Sequence, residues 1–520
     1  MPFRPDHQKQ LLLLPPDLES MIPEKDLVRV IDRFVESLPK RTIEGRLWKK
    51  RGRPAYGPRM MLKVLLYAYS QRVYSSRQIA KACRQNLNFL WLSGMARPDF
   101  NTVNRFRSVY LAECLEAVFG RLAEMLLEQG YVRGRDYFVD GTLVEADAGK
   151  YTAVWRKNAE RYAARVRERA KAILDEVERI NRAEDEEYGE RDLEETGEGT
   201  ELTAEAIEEA AKRLGRDWEE KESKAKPERK PQEQQERRRQ VRRLEQEAEK
   251  LRKYEAQQAE LGERNSYSKT DPGASFMRMK SGELRAGYNL QIGTENGFIV
   301  GYSLSQSPHD GGSLGAHLEA RERHGLEPAP ERVIADAGYG SEENYEVLAE
   351  RQIEAYVKYP GWHREVTGKL KRFEKAAFRY DDEADEFICP EGRRLVREGE
   401  GTVRRKSGYV AEEVYYRCGD CGGCRWKAEC TLGEANRTLT HLPNLAAHQA
   451  KVRQRLTSEE GVALRKRRGW EVETRFGMMK RNLGFTRFRL RGWAKATLEI
   501  GYLVTAMNLM RLASPKAQPI

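Results

Sequence analysis

No run of 18 apolar residues occurs in the 520-residue sequence, and a short leucine run, Leu11 to Leu14, stops at Pro15 and Pro16. A membrane-spanning helix needs about 20 consecutive apolar residues. A secretory signal needs an unbroken apolar segment followed by a cleavage site. The sequence therefore predicts neither a membrane span nor a secretory signal.

Signatures of several common chemistries are absent as well. We find no Ser-His-Asp arrangement for nucleophilic catalysis and no glycine-rich loop that could cradle a nucleotide's phosphates. The sequence gives no indication of a serine hydrolase or of a nucleotide-binding loop.

Cysteine is scarce, at seven residues, and the number is odd. Cys83 and Cys114 stand alone in apolar, helical contexts, whereas the other five are gathered: Cys389, Cys418, Cys421, Cys424 and Cys430. An odd count with such tight spacing favours a reducing cytosol and a metal site over a disulfide framework.

Charge is what the sequence has in abundance. Charged residues make up 34% of the chain and the formal net charge is +11, with an isoelectric point near 9.1. Such a balance favours an anionic partner without identifying it. The length allows two or three domains, each with its own core.

The segment from Arg465 to Gly492 concentrates this charge. Ten of its residues are Lys or Arg, and only Glu471 and Glu473 are acidic. Lys480 follows Glu473 by seven residues, which predicts that both side chains leave one helix on the same face. An acid that can hold a metal beside a cation that can hold a phosphate indicates phosphoryl transfer on nucleic acid. The alternative is an amphipathic basic helix whose glutamate forms local ion pairs.

The N-terminal region, from Asp26 to about Gly130, shows apolar residues at three-and-four spacing and is predicted to be helical throughout. Short helices separated by tight turns could form a helix-turn-helix that grips DNA. The basic residues that the pattern exposes are Arg77, Lys81, Arg84, Arg105 and Arg107. A dimerisation or scaffolding domain is the alternative interpretation.

Two acids lie on or after predicted strands. The stretch from Tyr137 to Ala148 is rich in aromatic and β-branched residues and contains Asp140, although Asp-Gly is also typical of an ordinary turn. A short apolar strand, Arg332 to Ala335, ends at Asp336 before a glycine turn and a helix. Ligands bind at the ends of strands in open α/β sheets.

Between these strands lies a highly charged segment, residues 151 to 264. Its apolar residues alternate three and four apart in two stretches, which predicts two long helices paired as an antiparallel hairpin, with a poorly ordered middle from about Glu184 to Pro231. We expect a solvated structural arm, with DNA contact along its basic part as the alternative. Two strands around a turn follow, from Leu284 to Ser307.

With the three acids placed, the chain resembles the bacterial insertion-sequence DDE transposases that have an RNase H-like core. The resemblance is carried, in the family's order, by FVDGTLVEADAGKYTAVW, ADAGYGSEEN and VETRFGMMKRNLGFTRFRLRG, one around each acid. FLWLSGMARPDFNTVNRFR is similar to the family's N-terminal domain, and SKTDPGASFMRMKSGELRAGYNLQIGTENG to its second and third strands. The resemblance runs from about Leu27 to Ala513.

The resemblance implies that Asp140, Asp336 and Glu473 form a metal-binding triad for Mg²⁺ or Mn²⁺. Three carboxylates can hold two divalent ions about 3.5–4 Å apart, and Mg²⁺ suits a site made only of oxygen ligands. The DNA-binding residues it implies are Lys480, Arg468, Arg475, Arg481, Arg487 and Arg489.

The chain departs from the family's pattern at two places. Arg465 stands in the region where a tyrosine is expected upstream of Arg468, and Phe100 stands where the N-terminal motif usually has histidine. Four further acids would be substitutes for the triad in another register: Glu145, Asp147, Glu342 and Glu471. His309 and Asp310, near the expected rim of the site, are predicted to end a loop or cap a helix.

The five gathered cysteines predict structural zinc held by four of them, because thiolates at two-residue intervals can share one tetrahedral ion. Related transposases carry similar cysteines ahead of the helix with the third acid. An iron–sulfur cluster is the rival interpretation, although five residues separate Cys424 from Cys430 and no proline follows. The absence of any metal is the third.

The expected organisation is an α/β protein with an RNase H-like mixed sheet. Its parts are an N-terminal helical domain for DNA binding or dimerisation (1–130), two segments of the core (131–150 and 266–360), a charged helical insertion (151–265), a cysteine-rich insertion (361–440) and a C-terminal helical part of the core (441–520). The last apolar helix, ATLEIGYLVTAMNLMRLA, is expected to close the core or contribute to a dimer.

The function that the resemblance implies is transposition by a nucleoid-associated protein of the bacterial cytoplasm. Its partners would be double-stranded DNA, both element ends and target, and a second copy of the chain. Two alternatives stay open: a catalytically silent DNA-binding descendant, and an RNase H-like nuclease that cleaves without joining strands.

Overall fold

The computed structural model describes residues 17–44, 56–188, 202–224, 231–405, 407–431 and 433–519. The chain divides into two compact units, and the first comprises Met1–Asp147, Met277–Glu283 and Gly287–Ile520. The second comprises Ala148–Phe276 and Leu284–Ala286. None of the helices in the described ranges is long and apolar enough to cross a membrane.

The N-terminal part of the first unit is helical, as predicted. Its elements are α1 (Leu18–Met21), α2 (Leu27–Ser37), α3 (Lys40–Glu44), α4 (Pro58–Ser70), α5 (Ser76–Gln85), α6 (Leu87–Leu92), α7 (Phe100–Arg105), a π-helical turn (Phe106–Tyr110) and α8 (Leu115–Glu128). Asp26, Asn86 and Asp99 begin α2, α6 and α7 as side-chain caps.

One basic residue of this region is not exposed. Arg107 is 4% exposed and donates hydrogen bonds to the Tyr74 carbonyl and the Asn104 side chain. The prediction assumed an unbroken α-helical period, whereas the π-helical turn contains an extra residue and so turns Arg107 inward. Arg77, Lys81, Arg84 and Arg105 are exposed.

Strand β1 (Asp136–Glu145) begins the sheet of the first unit, and the chain then enters the second unit. The elements that follow are β2 (Ala153–Trp155), α9 (Arg156–Tyr188), α10 (Ala204–Lys224), α11 (Pro231–Leu261) and β3 (Ser266–Ser268). Strands β2 and β3 pair antiparallel.

The second unit contains a third helix that the sequence pattern did not predict. Helix α10 lies in the expected poorly ordered middle, and its Ile207 and Ala211 are buried in one cluster with residues of α9 and α11. An apolar stripe at four-residue spacing therefore packs as a helix here despite the high charge around it. Residues 189–201 and 225–230, also in the predicted middle, lie outside the described residues.

A mixed sheet forms the centre of the first unit. After β1 its strands and helices are β4 (Ser275–Arg278), β5 (Leu284–Glu295), β6 (Phe298–Ser305), α12 (Leu314–Arg323), β7 (Arg332–Ala335), α13 (Glu342–Glu350) and β8 (Glu354–Val357). The strand order is β4-β5-β1-β7-β8, with β6 also paired to β5. Strand β1 is antiparallel to β5 and parallel to β7, and β8 is parallel to β7. This sheet confirms the predicted RNase H-like α/β fold class.

The cysteine-rich insertion forms a second, antiparallel sheet. Its elements are α14 (Trp362–Val366), β9 (Arg379–Asp381), β10 (Glu386–Ile388), β11 (Arg394–Arg404), β12 (Val410–Cys418), α15 (Lys427–Cys430) and β13 (Thr438–His441). The strand order is β13-β12-β11-β10-β9. The core of this sheet contains Phe387, Leu395 and Tyr416 beside Cys418 and Cys421.

The C-terminal part is helical, but the predicted continuous helix from Arg465 to Gly492 is wrong. The chain forms α16 (Pro443–Thr457), α17 (Glu459–Arg468), a π-helical turn (Gly469–Glu473), α18 (Thr474–Gly477), a second π-helical turn (Met478–Asn482) and α19 (Trp493–Leu512). Helical structure ends at Asn482 because Gly484 takes φ +64°. The chain then runs extended against Glu145 of β1, which accepts from the Phe488 N–H and donates to the Thr486 carbonyl.

Helix α19 closes the core, one of the two roles expected for it. Asn508 donates to the Ile299 carbonyl and accepts from the Ile299 N–H of β6. Tyr502 stacks on Tyr69 of α4 with ring centroids 5.5 Å apart. The helix therefore joins the N-terminal helices to the central sheet.

Candidate active site

Asp140 and Asp336 lie side by side on the central sheet. Strands β1 and β7 are parallel neighbours in which Phe138 pairs with Ile334, and each acid lies two residues beyond that pair. The Arg468 guanidinium lies between them, with Nη1 3.2 Å from Asp140 Oδ2 and Nη2 3.9 Å from Asp336 Oδ2. The fold thus brings together two acids that are almost 200 residues apart in sequence.

Backbone N–H groups fix one oxygen of each carboxylate. Asp140 Oδ1 accepts from the Gly141 N–H at 2.8 Å, and Asp336 Oδ1 accepts from the Gly338 N–H at 2.8 Å. In both residues the second oxygen is the one nearest Arg468.

Burial and the neighbouring charges shift the pKa of Asp140. Burial raises the pKa of Asp140, the positive charge of Arg468 opposes that rise, and the negative charge of Asp336 adds to it. The pKa of Asp140 therefore lies above its ordinary value, chiefly because its carboxylate is buried beside a second carboxylate.

Asp310 is a third acid at this place, which the sequence did not assign to the site. The predicted cap is made by its backbone carbonyl, which accepts from Ser313, and not by its carboxylate. Asp310 Oδ1 instead accepts hydrogen bonds from Asn289 Nδ2 and Gln291 Nε2, each at 2.8 Å. The signal that could have found it is Asn289 and Gln291, two amides at alternate positions of one strand, which point to the same face.

Glu473 ends the π-helical turn that begins one residue after Arg468. Its side chain is exposed and makes no hydrogen bond or ion pair with the part of the chain that the structure describes. A π-helical turn places residues five apart above one another, so Arg468 occupies the position that an α-helix would give to a residue four before Glu473.

Glu471, the neighbouring acid, has a different role. Its side chain is completely buried, its Oε2 accepts from the Gly297 N–H at 2.6 Å, and its Oε1 pairs with Arg467. Burial raises the pKa of Glu471, while the Gly297 hydrogen bond and Arg467 oppose the rise. Glu471 thus anchors the β5–β6 turn to the helix.

Of the other alternative acids, Asp147 and Glu342 have side-chain partners elsewhere. Asp147 pairs with Arg487 and Arg491, at 3.2 and 2.8 Å. Glu342 accepts a hydrogen bond from the Tyr409 hydroxyl. Glu145 contributes its backbone to the pairing with the segment after Asn482.

Lys480 lies in the second π-helical turn and is held by β1. Its Nζ donates to Thr142 Oγ1 and to the Leu143 carbonyl, each at 2.7 Å. Burial and, to a smaller extent, the nearby charge of Lys280 together lower the pKa of Lys480 to about 8. The shared face that an ideal α-helix predicts for Lys480 and Glu473 does not apply here, because two π-helical turns interrupt the helix.

The remaining basic residues differ in exposure. Arg481, Arg487 and Arg489 are exposed, and Arg487 and Arg489 lie beyond the helix and not on it. Arg475 is half-buried, and burial together with the charge of Arg511 lowers its pKa to about 10.

The cysteines of the insertion line one cavity, which contains all five: Cys389, Cys418, Cys421, Cys424 and Cys430. The sulfurs of Cys389 and Cys421 each accept a backbone N–H at 3.3 Å, from Arg393 and Arg437. Across the described residues, however, no group of three or more His, Cys, Asp or Glu side chains is arranged to hold a metal ion. This holds for the cysteines and for the acids alike.

Two known protein families match parts of the chain, one towards each end. Residues 388–513 match the family described as Transposase DDE domain, and residues 16–109 match the family described as Transposase domain (DUF772). No curated protein matches the chain. The first range contains Glu473, Arg468 and Lys480, whereas Asp140 and Asp336 lie outside both ranges. The chain thus carries a DDE transposase domain and a DUF772 transposase domain, which together are typical of insertion-sequence transposases.

Proposed function

We propose that this transposase binds the ends of an insertion sequence, cuts them by metal-dependent phosphoryl transfer, and joins the freed 3′ end to target DNA. The observation that supports this best is the convergence of Asp140 and Asp336 on Arg468. Arg468 belongs to the same helical segment as Glu473, inside the matched DDE domain. Acids from the sheet therefore face the basic helix of the family domain.

The two aspartates suit a divalent cation. A positive group, the Arg468 guanidinium, already lies against both carboxylates. A further cation would favour the ionised form of Asp140, whose pKa is raised by burial. We propose that Asp140 and Asp336 hold Mg²⁺ or Mn²⁺, since both ions prefer carboxylate oxygens. When bound, such an ion supplies Lewis-acid activation of the attacking oxygen and stabilisation of the leaving oxygen.

Glu473 would be the third acid of the site. Its carboxylate is exposed and has no partner among the described residues, so it is available to a ligand. Glu471 is not, because both of its oxygens have partners within the fold. This difference supports the choice of Glu473 over Glu471.

The basic residues around the site would position the DNA backbone. Exposed Arg481 and Arg489 can reach phosphates directly, whereas Lys480 and Arg468 are held by β1 and by the aspartates and would have to exchange partners. Arg475 and Arg487 complete the proposed set. Contacts of this kind give affinity with strong salt dependence and little sequence reading.

We propose that the protein acts as a homodimer on DNA. Both ends of an element have to be processed in one event, and two copies of one site accomplish this most simply. Symmetric assembly of identical chains is the commonest form of oligomer.

For the cysteine-rich insertion we propose structural zinc, held by four of the five thiols. The shared cavity and the N–H groups donated to Cys389 and Cys421 support it. Binding requires the side chains to close around the ion into a tetrahedron.

The test uses a DNA fragment with the gene's native flanks, a target plasmid, Mg²⁺ and the full chain, with products sequenced at nucleotide resolution. Cutting at the element ends followed by joining to the plasmid would support the proposal. Cutting without joining would favour a nuclease, and binding to the ends without cutting would favour a silent DNA-binding protein; either result contradicts the proposed reaction.

A further inference from the structure

Asp310 lies in the loop before α12, at the end of the sheet where Asp140 and Asp336 meet. Its partners Asn289 and Gln291 are 2% and 0% exposed. Amides that are buried so completely are costly unless their hydrogen bonds are made. Two buried polar side chains therefore hold the Asp310 carboxylate in place.

The two glycines next to the aspartates show how close Asp310 lies. A Cβ atom on Gly141 would lie only 2.6 Å from Asp310 Oδ1 and from Gln291 Nε2. A Cβ atom on Gly338 would lie 3.0 Å from Asp336 Oδ1 and 3.3 Å from Asp310 Oδ2. The absence of side chains at both positions lets the third carboxylate approach the other two.

Tyr339 orients the Gln291 side chain that holds Asp310. Its hydroxyl donates to Gln291 Oε1, which leaves Gln291 Nε2 to donate to Asp310. Burial holds the pKa of Tyr339 well above its usual range, and the causes that follow are the negative charges of Asp310, Asp140 and Asp336. The negative charges of all three carboxylates thus act on one tyrosine.

Resting on the proposed function, we propose that Asp310 is a fourth acid of the active site, which contributes its free oxygen, Oδ2, to the divalent ion held by Asp140 and Asp336. Oδ1 is occupied by the two amides, whereas Oδ2 borders the same space beside Gly338 as Asp336 Oδ1 does. Hydrogen bonds to one oxygen of a carboxylate fix its orientation and so prepare the other oxygen to bind a metal ion.

The experiment measures Mn²⁺ binding to the free full-length protein by electron paramagnetic resonance, without DNA and without turnover. Asp310→Asn is the decisive variant, since its amide oxygen can still accept from Asn289 or Gln291 while the charge is lost. Asp140→Asn reports on the proposed site itself. Glu343→Gln is the matched control, because Glu343 is a nearby acid whose Oε2 accepts from Ser407.

We expect Asp310→Asn to weaken Mn²⁺ binding roughly tenfold or more, as Asp140→Asn does, and Glu343→Gln to leave it unchanged. The urea midpoint of each variant checks its folding, and Asp310→Ser replaces Asp310→Asn if the latter unfolds. Unchanged Mn²⁺ binding in folded Asp310 variants, with loss in Asp140→Asn, would overturn the role of Asp310 alone. Unchanged binding in both would show that the proposed metal site is wrong and this inference with it.

Discussion

The guanidinium of Arg468 lies 3.2 Å from the carboxylate of Asp140 and within 3.9 Å of Asp336. It places a positive charge between the two acids. Arg468 and a divalent ion would therefore compete for the same carboxylate oxygens. Phosphate groups of bound DNA offer the guanidinium an alternative partner, since arginine binds phosphate in the same forked geometry as carboxylate.

Substitution of Arg468 should strengthen metal binding by the free protein. We expect Arg468→Gln to bind Mn²⁺ several-fold more tightly than wild type in the absence of DNA, since a positive charge at contact distance is lost. The same variant should bind DNA more weakly. Electron paramagnetic resonance titration measures the first quantity and fluorescence anisotropy the second; weaker Mn²⁺ binding by Arg468→Gln would refute the competition.

Substitution of Glu471 should lower the stability of the protein, whereas substitution of Glu473 should leave it nearly unchanged. Glu471→Ala leaves the Gly297 N–H and Arg467 without their buried partner, so we expect the free energy of unfolding to fall by about 2–4 kcal/mol. Glu473→Ala removes an exposed side chain and should change it by less than about 0.5 kcal/mol. Urea titration of both variants gives the comparison, and equal losses of stability would contradict it.

Lys480 should make DNA binding sensitive to pH. Burial lowers its pKa to about 8, so the side chain is charged below that pH and loses its charge as the pH rises through it. If Lys480 binds phosphate, affinity should fall above about pH 8, by up to about tenfold per pH unit for one proton. Lys480→Arg stays charged and should abolish this fall. Parallel pH dependences of wild type and Lys480→Arg would exclude the role.

Four of the five gathered cysteines should bind zinc, and the fifth should not. Cys418 is 2% exposed within the apolar core of the insertion, and its thiol donates to the Asp420 carbonyl. We expect Cys418→Ser to retain zinc and Cys421→Ser to lose it, because the Cys421 sulfur accepts a backbone N–H, as a thiolate ligand does, whereas the Cys418 thiol donates. Elemental analysis of the purified proteins measures the zinc content, and wild-type protein without zinc would rule out the site.

The sequence predicted those features that depend on local pattern. Apolar periodicity placed the N-terminal helices, one strand pattern contained Asp140, and a short apolar strand ended at Asp336. The fold brings both acids together because β1 and β7 are parallel neighbours. Helix α10 was missed because its charge resembles that of a disordered segment, although Ile207 and Ala211 suffice to pack it.

The details of the site depended on effects that no periodic pattern contains. The π-helical turns around Arg468 and Lys480 change which side chains share a face, and a regular helical period contains no sign of them. The place of Asp310 is set by long-range contacts with Asn289 and Gln291, which a single sequence cannot show. The turn that Asp-Gly left open as an alternative at Asp140 does not form, and Gly141 instead allows the close approach of Asp310.

The most direct test of the account compares cleavage at the element ends by wild type, Asp140→Asn, Asp336→Asn and Glu473→Gln, with Asp147→Asn as the matched acidic control. We expect each of the first three variants to lose at least about 10³-fold in rate while it still binds the DNA ends and unfolds at the wild-type urea concentration. Asp147→Asn should keep cutting. Wild-type rates in any of the three would show that the corresponding carboxylate does not belong to the catalytic site.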